Sequence, residues 1–187
     1  MDRPETPDRP NRGFMDFRDD PDGAEAVFEA QDVPGLQAML RAVNAKGSSF
    51  MSLGCERNLN MLDPPKGDAT CYLNSYLEVT YRDDERQGEQ DMIDLAILLA
   101  QRSELDERNW AKLELGIEEM KHFFGEKGRY CLHIAISGYG RSKEEACKTH
   151  EHAGRRLAGV FDQLIKPAGH SSNGSSSDAS KQVDDVQ

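Results

Sequence analysis

Between Cys71 and Arg82 apolar and polar residues take turns, with Leu77, Val79 and Tyr81 separated by Glu78, Thr80 and Arg82. A period of two places one set on each face of a strand, and the aromatic and β-branched content favours the same state. Arg129 to Gly138 repeats the pattern, with Tyr130, Leu132, Ile134 and Ile136 on one face. Residues 48–59 are mixed, with Phe50, Leu53 and Cys55, and predict a strand. Across the loop Asp63–Asp68 this strand pairs with 71–82 as an antiparallel hairpin.

Elsewhere the apolar residues return at helical spacing. Leu36, Met39, Leu40 and Val43 share one helix face, with Asp32 as the expected N-cap, Pro34 in the first turn and Gly47 as the stop. After the polar turn Asp83–Gly88, Met92, Leu95, Ala96 and Leu99 mark a second helix. Ile93, Ile97, Leu98 and Ala100 carry its apolar surface nearly all the way round, which predicts burial between layers or an interface. Ser142 and Glu145 form a capping box before Ala146, His150, Ala153, Leu157, Val160, Phe161 and Leu164, a stripe that runs to Pro167.

Residues 106–124 fit two patterns. Trp110, Leu113, Ile117, Met120 and Phe124 fall on one helical face, whereas Leu113, Leu115 and Ile117 alternate as in a strand. The longer match and the length of the segment favour a helix ending at Gly125. In the strand alternative, Gly125–Gly128 is a hairpin loop and the sheet gains a fourth strand. The expected fold is therefore α+β, a three- or four-stranded antiparallel sheet covered by helices on one face. Its order is α-β-β-α-α(or β)-β-α.

Composition refines the layout. The chain has 187 residues, 37% hydrophobic and 30% charged, with a net charge of -11 and a mean hydropathy of -0.73. Residues 1–32 carry a net -6, 33–166 a net -3 and 167–187 a net -2. Ends that are this acidic and apolar-poor cannot offset the entropy of ordering. The expected domain is 32–166, between a disordered acidic tail at 1–31 and a disordered Ser-rich tail at 167–187. Two apolar islands in the first tail, Phe14–Phe17 and Val27–Phe28, are either chance hydrophobes or docking points for a partner or for the domain itself. No apolar run suits a signal peptide or a membrane span, and the cysteines at 55, 71, 131 and 147 have no close spacing. A cytoplasmic protein with free thiols and no membrane partner is the expectation.

Candidate chemistry is sparse. The turn Gly138-Tyr139-Gly140-Arg141-Ser142-Lys143 joins a strand to a helix N-terminus, where backbone N–H groups attract anions and Arg141 and Lys143 add positive charge. No phosphate-loop or dinucleotide pattern is completed around it. The stretch GYGRSKEEA is similar to the glycine-plus-SKKEA segment that opens the last helix of double-stranded RNA-binding domains. That resemblance implies phosphate contacts, but Glu144 and Cys147 stand where the family has lysines, and the net charge argues against nucleic acid. Ser52-Leu53-Gly54-Cys55-Glu56-Arg57-Asn58 is similar to the opening of radical methylthiotransferases, without their C-x3-C-x2-C cluster motif.

Cys147 and His150 lie three apart on a helix, with Glu151 beyond. Two ligands fall short of a closed metal site, even with Cys131 or His133 as remote additions. His150 also belongs to the apolar stripe, which favours a buried structural histidine. No cofactor is implied. The reading ranked first is a small protein-binding module without catalysis of its own, an adaptor, chaperone-like or neutralising partner. Its order, size and charge are similar to the layout of type III secretion chaperones. The partner is another protein or a homodimer mate, reached through Ile93, Ile97 and Leu98. Behind it rank an anion or nucleotide binder, or an enzyme, at the glycine turn 138–143, and a degenerate double-stranded RNA binder.

Overall fold

A computed structural model describes residues 16–17, 20–105, 110–120 and 128–165. Three α-helices and four strands follow one another as α1 (Pro34–Asn44), β1 (Phe50–Lys66), β2 (Ala69–Tyr81), α2 (Glu89–Ser103), β3 (Ala111–Glu119), β4 (Tyr130–Gly140) and α3 (Lys143–Ile165). The strands form one antiparallel sheet in the order β1-β2-β4-β3. The fold is α+β, as the periodicities predict.

The alternation in β2 and β4 sorts their side chains between the two faces. Leu73, Leu77 and Val79 of β2 register with Gly138, Ile134 and Leu132 of β4 and bury against the helices. Met92, Leu95 and Leu99 of α2 and Leu157 and Phe161 of α3 close the same core. Each side chain of that size contributes about 1.5–3 kcal/mol when fully removed from water. A bulge between Ser52 and Gly54 inserts Leu53, which joins Met51, Met120 and Cys131 in a small second cluster.

Four expectations change. Residues 111–119 are a strand, where the longer match favoured a helix through 106–124. Leu113, Leu115 and Ile117 register with Ile136, Ile134 and Leu132, so the period-two set faces the core while the backbone pairs with an edge of β4. Pairing nine residues with that edge satisfies backbone groups on both strands, which a helix could not do. Phe124 and Gly125 lie outside the described residues. The loop expected at 63–68 shrinks to Gly67-Asp68, because β1 runs to Lys66. Helix α1 is capped at Val33, and Asp32 adopts a φ of 63° just before it.

The fourth change concerns the N-terminal side. Short 3-10 turns at Pro21–Ala26 and Phe28–Ala30 precede α1, and Phe17, Ala24, Val27 and Ala30 are buried in the main core. The packed unit therefore starts before residue 32, and Phe17 and Val27 of the two islands dock back onto it. Residues 1–15 and 166–187 lie outside the described residues.

Helix α3 sits on β4 and α1 with almost nothing in between. A Cβ on Gly138 would stand 2.7 Å from the Ala146 carbonyl oxygen, and one on Gly140 2.7 Å from that of Ser142. On the other side a Cβ on Gly154 would stand 2.6 Å from Gly35 Cα of α1. Gly159 of the same helix meets nothing within 4 Å. One substitution at two positions separates these roles. Gly154→Ala should destabilise by about 1–3 kcal/mol, because backbone must move. Gly159→Ala should stabilise by about 0.5–1 kcal/mol through helix propensity. Urea melts that move both in the same direction would contradict this account of the α1–α3 contact.

Candidate functional site

With the helices on one face, the other face of the sheet carries Tyr72, Asn74, Tyr76 and Glu78 of β2. Beside them stand His133, Ala135, Ser137 and Tyr139 of β4, and the register pairs Tyr72 with Tyr139, Asn74 with Ser137, Tyr76 with Ala135 and Glu78 with His133. Two ring stacks run across the strands, Tyr76 on His133 with centroids 4.6 Å apart and Tyr72 on Tyr139 at 5.5 Å. Between them the Asn74 amide donates to Ser137 Oγ at 2.9 Å.

Charge is unevenly spread on this face. Around the Glu78–His133 row lie Glu56 of β1 and Glu118 of β3, while Lys112 flanks Ser137. The Tyr72–Tyr139 row, three residue pairs along and so about 20 Å away, has Lys66 over the Tyr139 ring and Arg141 over Trp110. The acidic end is concave. A groove of about 780 Å³ is lined there by Tyr76, Glu78, His133, Glu118 and Glu56. It crosses the edge of β1 to reach Cys55, Arg57, Phe28 and Glu29. Four carboxylates thus meet one guanidinium, with two stacked rings as a wall and Phe28, 72% exposed, at the rim. The negative field reaches the neighbouring thiol of Cys131, which burial, then Glu78 and Glu118, push up to about 12.

Of the residues singled out by sequence, Phe28, Cys55, Glu56, Arg57 and His133 line this groove, whereas the glycine turn, the α2 surface and the Cys147–His150 pair lie apart from it. At the glycine turn, Gly138 and Gly140 end β4 under α3. The Arg141 amide donates to the Glu145 carboxylate at 2.9 Å, the Glu145 amide to Ser142 Oγ at 3.2 Å and the Ala146 amide to the Ser142 carbonyl at 3.0 Å. The Ser142 hydroxyl thus caps α3, and the Glu145 carboxylate turns back onto the Arg141 amide and brings negative charge to this helix end. Arg141 pairs with Asp68 at 3.0 Å, and Lys143 opens α3 at the surface.

On α2, Ile93 and Leu98 are half-buried, Leu98 against the main core, and Ile97 is 51% exposed. A single exposed isoleucine is ordinary on a protein surface. Larger apolar exposure falls on β1, where Leu59 and Met61 are 43% and 64% exposed.

Cys147 is exposed on α3 while His150 is fully buried beneath it. Cys131 and His133 stand on the opposite face of the sheet, so these residues do not converge. Among the described residues no group of three or more histidines, cysteines and carboxylates could hold a metal. No described helix is long and apolar enough to cross a membrane.

Two features escaped sequence reasoning. The groove gathers residues from four strands and the N-terminal turns, and no local spacing announces it. Ser75, an inward position between Leu73 and Leu77, bonds through Oγ to His150 Nε2 at 2.7 Å. A polar residue in the buried register of β2 is the signal that could have found that pair. Protein-family models, curated proteins and solved structures were each compared with the chain, and none matches.

Burial lowers the His150 pKa from 6.5 to about 4. The folded state therefore holds this imidazole neutral where the unfolded chain protonates it. The unfolded state binds more protons between those values, so stability falls as pH drops from 6.5 towards 4, by about 3 kcal/mol in all. Urea unfolding in steps across that window should show the loss, and His150→Gln should flatten the slope above the carboxylate range. Equal slopes in the two proteins would remove His150 as the cause.

Proposed function

We propose that this chain is a protein-binding module that receives a short basic segment of another protein in the acidic groove of its open sheet face. The observation that carries the reading is the ratio of four carboxylates to one guanidinium beside the stacked Tyr76 and His133 rings. An arginine side chain matches both features, since its planar cation pairs with carboxylates and stacks on aromatic faces. The groove volume suits a few side chains, and a chain charge of -11 draws cationic segments in from a distance. Anion binding at the glycine turn is opposed by the Glu145 carboxylate, which accepts from the Arg141 amide there, and by the pairing of Arg141 with Asp68.

Calorimetric titration with a blocked octapeptide of arginine and lysine tests the reading. Neutralising Glu78 and Glu118 together (Glu78→Gln with Glu118→Gln) should weaken binding about tenfold or more, with the melting temperature retained. Removing the same charge elsewhere, Glu89→Gln with Glu144→Gln, should leave affinity within about twofold, because exposed charges a Debye length away are screened. Equal losses in the two double variants would reduce the effect to net charge and overturn the groove as the site.

A further inference from the structure

The other end of the same face holds a second, smaller cavity of about 190 Å³, across the end of β4 between the starts of β2 and β3. We propose that it is a binding site for a small planar aromatic monocarboxylate. It is lined at its base by Ala69 and Ala111, both buried, Ala111 with its methyl group in the main core, and at its sides by Trp110 and Tyr139, both half-buried. Small residues beside two aromatic side chains leave room for one more ring, which such side chains receive by face or by edge. The volume equals about six waters in the liquid, enough for one ring and its substituent and too small for a nucleotide.

Trp110 supports the assignment independently. It is the only tryptophan of the chain, and it adopts a φ of 57°, a region that a bulky residue enters at a cost. The Tyr139 amide holds that backbone by donating to the Trp110 carbonyl at 2.8 Å. Core packing does not require the conformation, since the ring lies at the cavity and outside the main core cluster. The strain serves to present the indole.

Charge sets the sign of the ligand. Lys66 and Lys112 line the slot, and Arg141 sits over the Trp110 ring at 5.6 Å. Asp68 pairs with Arg141 at 3.0 Å and Glu114 with Lys112 at 2.8 Å. Lys66 rests on the Tyr139 ring face at 5.2 Å. Arg141 and Lys112 each pair with a carboxylate, which leaves the Lys66 ammonium, among the described residues, as the positive charge offered to the slot. One ring and one unit of positive charge match a monoanionic ring.

Benzoate, benzamide and benzamidine are nearly isosteric and carry charges of opposite sign or none, so they separate ring recognition from charge recognition. Titrated into the full chain, with Trp110 fluorescence as the readout, benzoate should bind about fivefold tighter than benzamide, and benzamidine more weakly than both. Lys66→Met should bring benzoate down to the level of benzamide while leaving the melting temperature and the binding of the basic octapeptide unchanged. Ligand-detected magnetization transfer with Trp110→Ala, where fluorescence is lost, should show no contact with any of the three. A flat response to benzoate up to about 10 mM would overturn the site. Equal binding of all three, or stronger binding of benzamidine, would overturn the monoanion assignment. Because the octapeptide reports on the groove about 20 Å away, failure here and failure there are distinguishable.

Discussion

The close seating of α3 on β4 and α1 is the constraint on which the rest depends. Backbone meets backbone at Gly138 and Gly140 on one side and at Gly35 and Gly154 on the other, with no side chain as spacer. Such an approach brings the Leu157 and Phe161 side of α3 onto the sheet and drives His150 against Ser75, out of reach of water. The neutral imidazole follows from that burial, because a charged ring there would lack solvation. His150 Nδ1 has no hydrogen-bond partner, and the imidazole lies next to Gly35, where a Cβ would come within 3.1 Å of the same atom. A glycine-rich turn that reads as an anion cradle is thus first a packing device.

Placing every helix on one side divides labour between the two faces of the sheet. The helix side is apolar and carries the stability. Apart from the small cluster of Met51, Leu53, Met120 and Cys131, the open side is free of that duty, and its alternate residues hold rings, amides and charges instead. Since strand neighbours register across the sheet, residues far apart in sequence are set side by side. Glu56, Glu78 and Glu118 surround one groove, and Lys66, Lys112 and Arg141 surround one slot. The two ends differ in sign, so one face can offer distinct chemistry to a basic segment and to a small anion.

Buried polar groups tie the periphery to this frame. Asn44, at the end of α1, donates to the Leu40 carbonyl and to Ser52 Oγ and accepts from the Ser52 amide. Arg82 reaches the carbonyls of Phe50 and Asn44. These bonds fix where α1 meets β1 and help hold the bulge that sets Leu53 beside Met51 on the opposite face. Gln87 does the same for α2, its side-chain amide donating to the Tyr81 carbonyl and its backbone carbonyl accepting from the Tyr130 amide.

Local periodicity alone determined α1, β2, α2, β4 and α3, because each has a run of apolar residues matching one period over its length. It determined the Ser142 cap on the Glu145 amide and the buried character of His150 as well, both consequences of position on one helix, although the Glu145 carboxylate turns to the Arg141 amide and not to that of Ser142. Tertiary structure decided 111–119. Trp110, Leu113, Ile117 and Met120 satisfy a helical period, yet an open edge of β4 needs partners for its backbone, and Leu113, Leu115 and Ile117 satisfy the sheet. It also decided that β1 continues through Asp63–Lys66, since pairing of Lys66 with Ala69 outweighs the local turn signal of two prolines. Both candidate sites belong to the same class. Their residues lie up to 105 positions apart, from Phe28 to His133, and share no spacing, so only the register of four strands, with the N-terminal turn packed beside it, could bring them together.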